Sequence, residues 1–176
     1  AIMPSDALTE MDADLITKVM DVNFNGVVHV TKAVLPQMLE RDRGDVVIFA
    51  SLMGHTPQMY LGAYCASKHA VKVYAETLKY ENEGSGLRVT CVCPPAVKTP
   101  LIGQLKANAR SFLDVLPEST QLTPDKVIDA IERSLEKGDL WTMPGIAKPA
   151  AAYYKLMPGV FWRSSLKLDA KNNAPG

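Results

Sequence analysis

The chain has 176 residues, 47% of them hydrophobic, and 19 basic against 19 acidic side chains, so its formal charge is zero. That is the length of one domain with enough apolar surface for a core, and the lack of a basic excess excludes a nucleic-acid binder. Three cysteines, an odd number, argue against a disulfide framework and for a reducing, cytoplasmic compartment.

In chain order, residues 11–41 carry Val27, Val30, Val34, Leu35 and Met38 at helical spacing and read as helix, with a break predicted near 22–25. Residues 45–50 form a continuous apolar run suited to a buried parallel strand. A helix is predicted over 63–83, stopped by Gly84-Ser85-Gly86, and a strand over 87–93, ended by Pro94-Pro95. Cys91 and Cys93 alternate along that strand and share one face as small core residues. Neither a C-x-x-C nor a histidine pair accompanies them, so no metal site is predicted. Thr123 and Pro124 open a helix through residue 136, which Gly138 closes, and 140–143 makes a short last strand. Strand–helix alternation implies a parallel α/β sheet.

The chemistry concentrates between the first strand and the second long helix. Ser51 ends the apolar run, so its hydroxyl projects from a sheet end; Tyr64 and Lys68 follow, four residues apart at the start of a helix. That spacing puts them on one helix face, where an ammonium beside a phenol lowers the tyrosine pKa. A hydroxyl, an acidified phenol and a lysine suit proton exchange with the oxygen of a ketone or alcohol. The tyrosine–lysine pair alone is a weak signal, since an i,i+4 surface contact reads the same. Its context of strand, serine, glycine- and proline-containing loop and helix start is what makes it specific.

These residues resemble the short-chain dehydrogenase/reductase family. Gly44-Asp45-Val46-Val47-Ile48-Phe49-Ala50-Ser51 is similar to its strand leading to a catalytic serine, thirteen residues before Tyr64. Asp21-Val22-Asn23-Phe24-Asn25-Gly26 resembles the helix motif whose asparagine completes a tetrad, and Pro94-Pro95-Ala96-Val97-Lys98-Thr99 resembles the segment that holds the nicotinamide carboxamide. Pro95 departs from the family's usual glycine, removing an N–H and fixing φ.

The resemblance runs from about Leu8 to Thr142. It implies the C-terminal portion of a Rossmann-like doubly wound parallel sheet in three α/β/α layers, over residues 1–145. The implied catalytic residues are Asn23, Ser51, Tyr64 and Lys68. NAD or NADP would be held by Tyr64, Lys68, Pro94, Val97 and Thr99, and substrate by Ser51, Met53, Tyr60 and Leu101. Residues 100–122 match the family's substrate lid, mostly apolar with Lys106 and Arg110 interspersed, which points to a lipophilic alcohol or ketone. His55 and Met59 sit in the loop before Tyr64, where they either line that pocket or simply pack the loop.

Homodimers or homotetramers of the family assemble through helices matching 11–41 and 63–83. The glycine-rich turn that cradles a cofactor pyrophosphate at a helix N-terminus has no counterpart here. About 90 residues of βα units are expected upstream, and the fragment's alternative role is a non-catalytic dimerisation or interaction module. The extension 146–176 interleaves Tyr153, Tyr154, Phe161 and Trp162 with Lys148, Lys155, Arg163 and Lys167. It reads either as a segment packing over the pocket or a partner subunit, or as one seated peripherally on a membrane. No run reaches the ~18 apolar residues needed to span one.

Overall fold

A computed structural model describes residues 1–103 and 118–172. Most of the predicted lid, with Lys106 and Arg110, lies outside the described residues.

Helix α1 (Ala13–Met20) starts where the Asp12 carboxylate accepts the Asp14 N–H at 2.8 Å, capping one of the free first-turn donors. The break predicted at 22–25 is instead a π-turn, Asp21–Asn25, through which the helix runs without interruption into α2 (Gly26–Glu40). The Gly26 N–H reaches the Asp21 carbonyl, one residue further back than in an α-helix. The widening coincides with Asn23 turning its side chain inward to bind the backbone of Ile2. Tertiary hydrogen bonds therefore override the helix-breaking propensity of the Asn-Phe-Asn-Gly run.

Strand β1 (Gly44–Phe49) pairs in parallel with β2 (Leu87–Val92), and β2 with the two-residue β3 (Trp141–Thr142), giving the order β1-β2-β3. The ladder continues past the named strands, since the N–H of Ala50 bonds to the Val92 carbonyl and that of Cys93 to Thr142. Helix α3 (Gly62–Glu81) connects β1 to β2, and α5 (Pro124–Lys137) connects β2 to β3. Gly138 ends α5 with φ 69°, the left-handed conformation a residue without Cβ adopts freely. Gly86 is required differently: a Cβ there would lie 1.7 Å from the Asp42 carbonyl oxygen.

The strand period of two assigns the layers. Val46, Ile48 and Ala50 of β1 and Leu87, Val89, Cys91 and Cys93 of β2 face one side, where they join Leu35 of α2 and Val71, Ala75 and Leu78 of α3 in the main core. The alternate residues face the other side. There Arg88 Nη1 donates to the Leu135 carbonyl of α5, and Thr90 Oγ1 to the Asp139 carbonyl that follows it. Helices thus cover both faces, a three-layer arrangement. The β1 part of the second face is open, with Phe49 52% exposed. Among the described residues no strand pairs with the outer edge of β1.

A short helix α4 (Pro100–Gly103) follows β2, and the chain ends in α6 (Ala147–Leu156) and α7 (Pro158–Asn172). Ala147 is fully buried and α6 touches the 3-10 turn Leu52–Gly54, whereas α7 packs chiefly on α6. Tyr154 and Phe161 clasp the two helices edge to face at 5.1 Å.

Candidate active site

Ser51, the 3-10 turn, the start of α3 and the loop after β2 all meet at the carboxyl end of the sheet. In open α/β sheets this is where ligands bind, because the loops there diverge around a crevice. Two backbone bonds fix the meeting: the Leu52 N–H donates to the Pro94 carbonyl at 2.9 Å, and the Ala50 N–H to Val92 at 2.9 Å. Ser51, in extended conformation, accepts the Met53 N–H on its hydroxyl at 3.2 Å, and that hydroxyl adjoins the Tyr64 phenol closely enough to hold its pKa down.

The Tyr64 side chain is 5% exposed and packs with Met3, Leu61 and Cys65, against which Met53 and Leu101 also lean. Two of the residues expected to touch substrate, Met53 and Leu101, are therefore brought to the cluster that holds Tyr64. Tyr60 is not in that cluster. It stands just before Leu61 with φ 63°, an uncommon conformation for a bulky residue, and its carbonyl accepts the Asp6 N–H. Lys68 lies one turn along α3 from Tyr64, its Nζ 5.7 Å from the ring centroid, donating to the Phe49 carbonyl at 2.9 Å.

Electrostatics here run against the simple expectation from spacing. Burial pushes the Tyr64 phenol up to about 12, an effect only partly opposed by the Ser51 hydroxyl. Burial also brings Lys68 down to about 8. Adjacency predicts an acidified tyrosine, but desolvation dominates both groups because the water around them has been replaced by apolar side chains.

Asn23 is 3% exposed and fully engaged through its amide. Its Oδ1 accepts the Ile2 N–H at 2.8 Å, while Nδ2 donates to the Ile2 carbonyl at 2.9 Å and to Ser67 Oγ at 3.0 Å. The Ser67 hydroxyl in turn donates to the Tyr64 carbonyl at 2.7 Å. Sequence reasoning missed Ser67, although its position three residues after Tyr64 and next to Lys68 marks it as lying on the buried side of the same helix. In this way the π-turn is tied to the helix that carries the tyrosine and lysine.

Of the loop residues expected near a cofactor, Pro94 is bonded to Leu52 as described. Val97 makes a parallel bridge with Leu122, and the exposed Thr99 precedes α4. Cys91 and Cys93 are both fully buried with their sulfurs 3.8 Å apart, on the face the alternation predicts. His55 packs edge-on against Trp141 at 5.5 Å, with a buried Nε2 that has no hydrogen-bond partner among the described residues. It therefore faces the sheet end rather than open solvent.

A sequence profile described as short chain dehydrogenase matches residues 1–110. The chain belongs to that family. It is 32% identical over 171 residues to a dehydrogenase/reductase SDR family protein 7-like of Drosophila melanogaster, covering 93% of this chain and 52% of that protein. It is also 34% identical over 152 residues to human 17-beta-hydroxysteroid dehydrogenase 13, covering 85% of this chain and 46% of the relative. The chain spans about half the length of the curated relatives it matches.

Among solved structures, a short chain dehydrogenase/reductase from Burkholderia phymatum in complex with NAD superposes with a TM-score of 0.79. That match has 23% identity and covers 90% of this chain and 64% of that one. A short-chain dehydrogenase from Sphingobium yanoikuyae in complex with NADPH gives 0.74 at 23% identity, covering 92% and 61%. These likenesses establish a partial Rossmann-like fold, and with the family match they make the chain part of an oxidoreductase family.

Proposed function

We propose that the chain supplies the acid–base half of an NAD(P)-dependent oxidoreductase that interconverts a lipophilic alcohol and its ketone or aldehyde. One observation carries this reading: the Ser51 hydroxyl adjoins the Tyr64 phenol at the carboxyl end of β1 and holds its pKa down, with the Lys68 amine 5.7 Å from the ring centroid. Tyr64 acts as the general acid in reduction and the base in oxidation. With its pKa near 12 the phenol is protonated at neutral pH, which suits donation to a developing alkoxide. Ser51 orients the substrate oxygen and stabilises charge building on it. Met53 and Leu101, packed against the cluster that holds Tyr64, give the reacting carbonyl apolar neighbours, with Tyr60 in the loop just before it.

The donor set fits the nicotinamide half of NAD or NADP. Lys68 has three N–H donors and uses one on Phe49, so two remain for ribose hydroxyls. Pro94, Val97 and Thr99 form the loop beside it for the carboxamide. When bound, the cofactor supplies the hydride. Both amide donors of Asn23 are committed to Ile2 and Ser67, so its contribution to a water relay with Lys68 runs through its backbone carbonyl in the π-turn.

The test is hydride transfer, followed at the nicotinamide absorbance with a panel of lipophilic ketones and the full-length protein. Tyr64→Phe, which keeps the ring and its packing, is expected to lower kcat by about 10²–10⁴-fold. Unchanged turnover in that variant overturns the assignment.

A second reading is favoured by the outer surfaces of α2 and α3, where Val30 and Tyr80 are each 64% exposed and Val73 is 54% exposed. Such a face suits pairing with another copy as a homodimer or homotetramer, the role the chain would keep if it bound no cofactor. Titration of the isolated chain with NADH and NADPH separates the two.

A further inference from the structure

The helical elbow α6–α7 carries a feature that neither the acid–base site nor the α2–α3 face uses. Of the seventeen large apolar side chains exposed among the described residues, eight fall between Ile146 and Leu168. Over the span of the two helices the chain has five basic residues, Lys148, Lys155, Arg163, Lys167 and Lys171, against Asp169 alone. Four positive charges are thus gathered at one end of a chain whose total is zero, leaving the remainder net acidic.

The arrangement along α7 is ordered. Helical steps of four put Trp162, Leu166 and Ala170 in one row and Arg163 and Lys167 in the row beside it. Phe161, half-buried against Tyr153 and Tyr154 of α6, occupies the inward row. That leaves Trp162 at 48% exposure and Leu166 at 43% facing away from α6. The elbow itself exposes Leu156 (79%) and Met157 (48%). No helix among the described residues is long and apolar enough to cross a membrane.

We infer that α6–α7 is a docking surface for an anionic lipid bilayer. The Trp162–Leu166 row and the Leu156–Met157 elbow enter the headgroup–acyl boundary, while the neighbouring basic row lies among the lipid phosphates. An apolar row alone would suit any hydrophobic partner. A cationic row beside it, on a protein that is elsewhere acidic, selects a negatively charged interface. Tryptophan at such a boundary keeps its ring in the apolar layer and its N–H at the polar edge. The adjacent lysine and arginine stems reach the headgroups without burying charge.

The test is flotation of the full chain with phosphatidylcholine vesicles, with and without phosphatidylserine. It is paired with fluorescence of a Trp141→Phe variant, in which Trp162 is the one remaining tryptophan. The expected result is co-flotation with phosphatidylserine vesicles alone, a blue shift of Trp162 emission on binding, and loss of both at high salt. Arg163→Gln with Lys167→Gln is expected to weaken binding by about tenfold, with circular dichroism showing unchanged helix. Leu166→Ser tests the apolar row independently. The inference is overturned if the chain does not float, if it binds neutral vesicles equally, or if Trp162 is unmoved by vesicles. Elution as a dimer that holds Trp162 in a blue-shifted state before lipid is added would also overturn it, assigning the surface to a second copy.

Discussion

Helices α3 and α7 differ in what holds them. Eight side chains of α3 are buried, including the polar Tyr64, Ser67 and Lys68, because the helix packs on the sheet, on α1, on the π-turn and on the 3-10 turn after Ser51. None of the described side chains of α7 is buried, and its main contact is α6. A helix gripped from several sides has its rotation and axial position fixed, so the Tyr64 phenol and the Lys68 amine are held in one place relative to Ser51. A helix resting on one neighbour keeps its apolar residues free for something outside the chain.

The largest expected effect sharpens this contrast. Leu61, fully buried at the entrance to α3, should cost about 2–5 kcal/mol when changed to Ala, through lost burial and the cavity left behind. Chemical denaturation measures it, and a loss under ~1 kcal/mol would mean that the α3 junction is not tightly packed.

The next effect depends on pH. Lys68 titrates near 8 in the folded chain against 10.5 when free, so between these values the unfolded state binds more protons. Stability should therefore rise with pH from about 8 to 10.5, by on the order of 3 kcal/mol. Tyr64 acts in the opposite sense. Its raised pKa contributes stability that is whole below pH 10 and is lost towards 12. Replacing Lys68 by Met should flatten the first limb of a stability–pH curve and leave the second, and an unchanged first limb would show that Lys68 is solvated in solution.

Gly138→Ala is a smaller perturbation. Its φ of 69° strains any residue with a Cβ, yet nothing lies within 4 Å of the added atom, so the cost is conformational alone, about 1–2 kcal/mol. At the far end of the scale, Leu156→Ser on the α6–α7 elbow, where the leucine is 79% exposed, should change the unfolding free energy by less than ~0.5 kcal/mol. A larger loss there would mean that the elbow is packed by a partner in solution, and the contrast with α3 would fail.

Much of the fold was legible because it is locally encoded. The run Asp45-Val46-Val47-Ile48-Phe49-Ala50 states a buried strand by composition, Pro124 and Gly138 bracket α5 by backbone preference, and the alternation of Cys91 and Cys93 gives their shared face. Ser51, Tyr64 and Lys68 could be singled out because four residues make one helical turn and a serine ending a strand opens onto the sheet's end. The Asn-Phe-Asn-Gly run misled for the opposite reason. Its turn propensity is real, but the hydrogen bonds that hold Asn23 come from Ile2 and Ser67, 21 and 44 residues away.

By itself, then, the sequence determined which segments are helix and strand, that the sheet is parallel, and which side chains to propose for proton transfer, all of which follow from residue type and short-range spacing. Tertiary structure alone decided that α5 covers the face opposite α3, that Asn23 is locked through its amide, and that Tyr64 and Lys68 shift away from their charged forms. Those outcomes depend on how much water is excluded and which distant groups arrive, and chain packing sets both.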